Sequence, residues 1–219
     1  MPRTSQTSRP LGRPRAFDRD RAILEAARLF WRRGYSGTST RALTEALGLS
    51  TSSLYAAFGS KAGLFEEAVR TYAERYREIY ERALPEPDIR VALARVLTDS
   101  VREFTQHPDT HPGCLSSSAA MTDSTGTLDV TAYFAELQEA NERALSTRVE
   151  RAARDGELAA GTDPAQLTGL VQTAWHGLSA RARLGASRAD LLATARLTDD
   201  LIRRQLTTPA EPPSGPPAT

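Results

Sequence analysis

Residues Thr38–Phe65 read TSTRALTEALGLSTSSLYAAFGSKAGLF and alternate short apolar segments with residues that begin or end helices. In the first segment apolar side chains recur at the spacing of one helical face, and Ser39 or Thr40 is placed to cap its N-terminus. Gly48 can take the left-handed conformation that ends a helix, so the chain turns within about four residues. The pattern predicts two short helices joined by a tight turn, with a further helix beginning at Lys61.

The second of these predicted helices, residues 51–58, carries no charged side chain. Ser50 or Thr51 can cap its N-terminus, and Ser52, Ser53 and two alanines give it a small, hydroxyl-rich outer face. The major groove of B-DNA admits one helix, and serine, threonine and alanine side chains reach base edges and thymine methyl groups without clashing. The composition therefore favours a helix that approaches DNA closely.

The segment from Gly34 to Val69 resembles the helix-turn-helix of TetR/AcrR-type bacterial transcriptional regulators. The shared features are the glycine-aromatic pair before the first short helix, the Gly-Leu turn, Leu-Tyr-x-x-Phe in the recognition helix and Lys-x-x-Leu at the start of the next helix. The resemblance implies phosphate contacts by Tyr55 and Lys61 and core positions for Phe58 and Leu64. It also implies that the residues at the groove are Thr40, Arg41, Ser50, Thr51, Ser52 and Ser53. A capped helical domain without a DNA-binding role is the alternative.

Basic charge is concentrated at the N-terminal end of the chain. Residues 1–61 carry ten arginines and one lysine against four acids, a net charge of +7, and the remaining residues carry 17 arginines against 23 acids, a net charge of −6. These values sum to the overall +1. Lys61 is the only lysine in the sequence. We therefore expect DNA to bind at the N-terminal end.

The two termini are predicted to be disordered. Residues 1–16 contain four arginines, three prolines and no acid, which is typical of a basic arm. Arg13 and Arg15 lie in a segment that resembles arms inserted into the minor groove of A·T-rich DNA, although a solvated tail with only nonspecific attraction fits equally well. Residues 207–219 are rich in proline.

Apolar periodicity between the termini predicts an all-α protein of about nine helices, with no strand. We predict an N-terminal three-helix DNA-binding unit over residues 17–61 and a C-terminal helical bundle over residues 62–206, which the family resemblance implies is for ligand binding and dimerisation. A helix from about Lys61 to Leu84 joins the two. Further helices are predicted over Ile89–His107 and Leu128–Arg154, and after caps at Asp163 and Ser187.

Composition indicates a soluble protein of one or two packed domains, because 40% of the residues are hydrophobic and 25% are charged. No apolar run approaches the roughly 20 residues of a membrane-spanning helix, and the N-terminus lacks the apolar core of a signal peptide. One cysteine, Cys114, excludes an intrachain disulfide and fits a reducing compartment. We therefore expect a cytoplasmic protein with no membrane partner.

The C-terminal bundle is less informative, and its roles come from the family resemblance, which implies dimerisation and a small-molecule effector. Dimerisation is assigned to apolar residues of the last two helices: Leu167, Leu170, Ala174, Leu178, Leu191, Leu201 and Ile202. The same residues fit the core of one chain equally well. The candidate lining of an effector pocket is Phe104, Cys114, Met121, Phe134 and Trp175, although burial in a core is the commoner role for each of them.

His107, His111 and Cys114 fall within eight residues, and imidazole with thiolate suits zinc or copper. Prolines at 108 and 112 make the segment an ordinary crossing from helix to loop, and Gly-Cys-Leu at 113–115 resembles a tripeptide found in part of the family. There the cysteine is a small buried residue or, in some members, a sensor of electrophiles or oxidants. We place inert packing first, sensing second and metal binding third, and expect no metal site and no cofactor.

Other classes of protein explain the sequence less well. Cys114 with a nearby histidine is the only candidate for nucleophilic catalysis, and the sequence contains no glycine-rich phosphate loop or nucleophile elbow. A helical adaptor that binds only protein leaves the basic N-terminal end unexplained. The sequence therefore predicts a homodimeric DNA-binding regulator, a repressor that a small-molecule effector releases from an inverted-repeat operator.

Overall fold

The computed structural model describes residues 18–106, 125–126 and 128–207, and this part of the chain forms eight helices. They are α1 (Arg19–Arg33), α2 (Thr40–Leu47), α3 (Thr51–Phe58), α4 (Lys61–Ala83), α5 (Ile89–Phe104), α6 (Val130–Arg154), α7 (Pro164–Arg183) and α8 (Arg188–Arg203). The predicted all-α class, with an N-terminal helix-turn-helix and a C-terminal helical domain, is confirmed. No helix in the described ranges is long and apolar enough to cross a bilayer.

Serine residues begin the three helices around the tight turn. The hydroxyls of Ser39, Ser50 and Ser60 each accept a hydrogen bond from a backbone N–H three residues later, at 2.9–3.1 Å. These bonds satisfy backbone donors that the first helical turn leaves unpaired. The caps of α2 and α3 are therefore Ser39 and Ser50 rather than the threonines that follow them. Gly48 ends α2 at φ 63° and ψ 33°, the left-handed conformation predicted for it.

The N-terminal helices share one apolar core. Phe30, Leu43, Leu54 and Leu64, from four successive helices, are fully buried. The rings of Phe30 and Phe65 meet edge to face with centroids 4.9 Å apart. The orientation of α2 and α3 is therefore fixed against both α1 and α4, because these side chains fill the space between the four helices.

The long helix α4 extends from this N-terminal core into the C-terminal bundle. Its 23 residues extend for about 34 Å, and its buried side chains continue along its whole length. In the C-terminal bundle, α4 packs on α5 and α6, and α5 also packs on α7 and α8. The bundle core includes Leu93, Leu97 and Val101 of α5, all fully buried.

Backbone pairing joins the residues after α8 to the segment between α6 and α7. Leu206 pairs with Leu158 in an isolated antiparallel bridge, and the N–H of Thr207 donates to the carbonyl of Glu157 at 2.9 Å. Thr207 is the first residue of the predicted tail and the last residue that the structure describes there. Residues 1–17, 107–124, 127 and 208–219 lie outside the described part of the chain.

Candidate DNA interface and effector region

The outer face of α3 is uncharged and exposed. Thr51, Ser52, Ser53 and Ala56 are all exposed, and Tyr55 is 44% exposed, while Leu54 and Phe58 on the opposite face are buried. A helix with small side chains outside and apolar anchors inside can enter a groove without a side chain holding it away. The structure thus brings the predicted groove residues of α3 onto one accessible surface.

The hydroxyl of Ser50 links the start of α3 into a local network. It lies 2.9 Å from the Ser52 hydroxyl and 2.8 Å from the Ser53 hydroxyl, in addition to accepting the Ser53 N–H. Each hydroxyl is both a donor and an acceptor, and it rotates to suit its partner. The three serines therefore offer adaptable hydrogen bonds at the N-terminal end of α3.

Lys61 begins α4 directly beside this face and is the first residue after the Ser60 cap. Its ammonium nitrogen lies 4.1 Å from the centroid of the Tyr35 ring, within the range of a cation–π contact. Tyr35 in turn packs on Phe30 and Phe65. The lone lysine is thus held near the recognition helix by an aromatic side chain that is itself fixed in the core.

Close approach of α3 and α4 depends on Gly63. A Cβ at this position would lie 2.3 Å from the backbone carbonyl oxygen of Phe58, a distance that backbone atoms cannot accommodate without moving. Because Gly63 has no side chain, the first turn of α4 can lie against the end of α3. The angle between the recognition helix and the lysine-bearing helix is therefore set by a glycine.

Arg41 and Thr40, predicted at the groove, lie on the first turn of α2. The Arg41 side chain is 88% exposed and its Nε lies 2.8 Å from a carboxylate oxygen of Glu45. An exposed pair of this kind is worth less than about 1 kcal/mol, so the guanidinium can exchange Glu45 for a phosphate at little cost. Thr40 is partly buried at the start of the same helix.

Arg19 is a part of this region that the sequence interpretation missed. Its guanidinium donates to the carbonyl of Ala57 at 2.6 Å and pairs with Glu67 at 2.6 Å, and it lies 4.6 Å from the centroid of the Phe58 ring. One side chain of α1 therefore binds the C-terminal end of α3 and the side of α4. A basic residue just after a helix cap gave no signal for such a role, because its partners lie 38 and 48 positions away.

The predicted effector residues fall into two groups. Phe104, Phe134 and Trp175 are buried, with the rings of Phe104 and Trp175 5.3 Å apart and the Trp175 Nε1 donating to the Ser100 hydroxyl at 2.7 Å. His176 follows Trp175, and partial burial lowers the pKa of its imidazole, which favours the neutral ring. Phe104, Phe134 and Trp175 thus belong to the bundle core, whereas His176 is exposed at its surface. Cys114 and Met121, with Arg13, Arg15, His107 and His111, lie outside the described residues.

The predicted dimer residues divide between core and surface. Leu167, Leu178, Leu191 and Ile202 are buried within one chain, which agrees with the core alternative and makes them unavailable to a partner. Leu170 and Leu201 are exposed, and Ala174 is partly buried. Two further exposed leucines were not predicted: Leu184, which directly follows α7, and Leu197 of α8. Both α7 and α8 thus have apolar residues on more than one face.

Comparison with known proteins finds family models that match both the N-terminal and the C-terminal part of the chain. Residues 23–68 match the model described as bacterial regulatory proteins, TetR family, and residues 92–197 match that of a tetracyclin repressor-like C-terminal domain. The chain is 32% identical to the HTH-type transcriptional repressor ComR of Escherichia coli over 88% of this chain and 94% of ComR. It is 31% identical to the repressor BdcR of the same species over 91% of this chain and 96% of BdcR.

A solved structure of a TetR family regulator is also similar. A cysteine mutant of CifR in complex with 26-base-pair double-stranded operator DNA is 39% identical, with a TM-score of 0.66 over 86% of this chain and 98% of that chain. These relatives are transcriptional regulators rather than enzymes. The two family models and the near-complete relatives together establish that this chain belongs to the TetR family of bacterial regulatory proteins and is a DNA-binding transcriptional regulator.

Proposed function

We propose that the protein is a repressor that binds an inverted-repeat operator as a homodimer and leaves it when a small-molecule effector binds the C-terminal domain. The exposed, uncharged face of α3 beside Lys61 is the observation that carries the proposal. It combines side chains suited to base edges with a cation suited to phosphate. A regulator of bacterial genes acts where the chromosome is, so we place it in the cytoplasm.

Within this proposal the residues of the interface have separate roles. Ser52 and Ser53 would contact base edges, and Tyr55 and Lys61 would contact phosphates, because the first three are exposed on α3 and Lys61, which is partly exposed, begins the next helix. Arg13 and Arg15 of the N-terminal arm would add contacts in the adjacent minor groove. We assign DNA binding to residues 1–61 and effector binding with dimerisation to residues 62–206.

The outer surface of α7 and α8 supports the homodimer. Leu197 of α8 is 63% exposed and Leu184, which directly follows α7, is 87% exposed, and the small residues Gly177, Ala180 and Ala193 of these helices are exposed as well. Small residues let two helices approach closely, and the exposed leucines would bury apolar surface against a second copy. Two copies joined through this surface would carry two recognition helices related by a twofold axis.

Selection of bound duplexes from a random DNA pool tests the proposal directly. We expect an inverted repeat whose half-site centres are about one or two helical turns apart, because both recognition helices must reach one side of the duplex. Affinity for the selected site should fall steeply as salt increases. A motif without twofold symmetry, or the absence of any enriched motif, would contradict the proposal.

A further inference from the structure

A groove of about 730 Å³ lies between the last turns of α4 and the part of α6 from Leu137 to its C-terminal end. Its volume is within the roughly 300–1,000 Å³ typical of small-molecule sites. The α6 wall contains Ala140 and Ala144, both exposed, and these short side chains leave the space that longer residues would fill. Tyr80, Leu84 and Leu137 supply apolar surface on the two walls.

The residues that line the groove have a net positive charge, whereas the C-terminal part of the chain as a whole is negative. Four arginines and one glutamate line the groove, a net charge of +3, whereas residues 62–219 as a whole carry −6. Arg77 is paired with Glu74 and Glu81. Arg151 and Arg154 are exposed and form no ion pair within the part of the chain that the structure describes. Two guanidinium groups are therefore available to a ligand.

Arg148 adds a buried cation to the same wall. Its side chain is 3% exposed, its Nη1 lies 3.3 Å from a Glu157 carboxylate oxygen, and its Nη2 donates to the carbonyls of Glu86 and Pro87. Its buried Nε has no hydrogen-bond partner among the described residues. A buried charged group without full pairing is costly, so positive potential at this end of the groove is only partly neutralised.

We propose that this groove binds an organic anion with an apolar body, and that such an anion is the effector; the second part rests on the proposed function. Arg151 and Arg154 would bind a carboxylate or sulfonate, because guanidinium groups form short charge-assisted hydrogen bonds with these anions. The apolar walls would cover the body of the ligand. Since α4 extends from the groove to Lys61, a ligand that changes the separation of α4 and α6 acts on the helix that carries the phosphate contact.

The test uses two dyes that share one apolar body. Anilinonaphthalene sulfonate carries an anion, and phenylnaphthylamine lacks it. We expect the sulfonate to bind the full-length protein, and Arg151→Gln or Arg154→Gln to weaken it roughly tenfold while leaving the neutral dye unchanged. Arg143→Gln is the matched control, because Arg143 lies on the same helix, is paired with Glu139 and does not line the groove. Ala144→Trp, which fills the groove from an exposed position, should reduce binding of both dyes.

Two results would overturn the groove assignment: equal sulfonate affinity in wild type and both groove variants, or unchanged binding in Ala144→Trp. The effector role is measured separately, as the loss of operator affinity at a sulfonate concentration that occupies most wild-type sites but leaves Arg151→Gln mostly unoccupied. Loss in wild type but not in Arg151→Gln supports it, and a dye that binds without changing operator affinity overturns it. Operator binding without dye should be equal in all these variants, so failure of DNA binding itself counts against the proposed function and not against the groove.

Discussion

At the scale of single residues, side chains distant in sequence assemble the candidate interface. Tyr35 holds Lys61 beside α3, and Arg19 joins the end of α3 to α1 and α4. Both contacts place a basic side chain close to an end of α3 or the start of α4. The candidate interface therefore combines basic residues with the hydroxyl-rich face of α3, a combination that suits contacts to phosphates and to base edges.

Replacement of Lys61 tests the phosphate contact. Lys61→Ala should weaken binding to every DNA sequence alike and reduce the slope of log affinity against log salt by about one for each protomer. Lys61→Arg, which keeps the charge, should retain the slope. Fluorescence anisotropy across a salt series gives these slopes, and altered base preference with an unchanged slope would refute the assignment.

We expect Arg19 to affect stability and operator binding by fixing the position of α3 rather than through its charge alone. Arg19→Met removes a hydrogen bond to a carbonyl at the end of α3 and an ion pair, so we expect the free energy of unfolding to fall by about 1 kcal/mol and operator affinity to fall with it. Arg21→Met removes the same charge from an exposed position on the same helix. Urea unfolding and operator titration measure the stability and the operator affinity of the two variants. If both variants lose the same stability and affinity, the effect of Arg19 is a general electrostatic one.

At the scale of helices, boundaries were more predictable than contacts between helices. Helix caps and the glycine at 48 are local signals: the sequence offered Ser39 or Thr40 and Ser50 or Thr51 as caps, and the structure has the serine in both cases. The sequence did not distinguish Leu167 and Leu178, which are buried, from Leu170, which is exposed, because α7 is apolar around much of its circumference. The groove was also unpredictable, since it depends on two alanines of α6 facing α4 across a long sequence separation.

Gly48 offers a test of the turn between α2 and α3. An added Cβ there meets no atom within 4 Å, so the cost of Gly48→Ala comes from its φ of +63° alone. We expect a loss of about 1 kcal/mol in the free energy of unfolding. Gly169 of α7 has equally open surroundings but a helical backbone, so Gly169→Ala should gain about 0.5–1 kcal/mol. Urea denaturation at one protein concentration measures the stability of both variants. A loss of stability in both would contradict the explanation by backbone conformation.

At the scale of the whole molecule, the two ends of α4 lie in regions of different chemistry. Its first turn adjoins the recognition helix, and its last turns line the arginine-bearing groove. Because α4 is buried along its length, we expect a displacement of its last turns to be transmitted to its first turn. The outer leucines of α7 and α8 provide the third surface, through which we propose that two such molecules associate.

Charged substitutions on that third surface should separate the protomers. Leu197→Glu with Leu201→Glu should yield a monomer by light scattering and reduce operator affinity, because one recognition helix then binds without its partner. Val91→Glu is the control, since Val91 is 40% exposed but lies on α5. If the double variant remains dimeric while Val91→Glu becomes monomeric, the dimer surface does not lie on α8.

The single lysine also makes the interface directly observable by spectroscopy. Reductive methylation with ¹³C-formaldehyde would label only Lys61 and the N-terminal amine, because the sequence has no other lysine. Since the ammonium lies 4.1 Å from the Tyr35 ring centroid, ring current should move its methyl resonance upfield. Transfer of the ammonium from the ring to a phosphate should return the resonance toward the position of an exposed lysine. One NMR signal would then report operator binding, and its reversal on adding a candidate effector would report release.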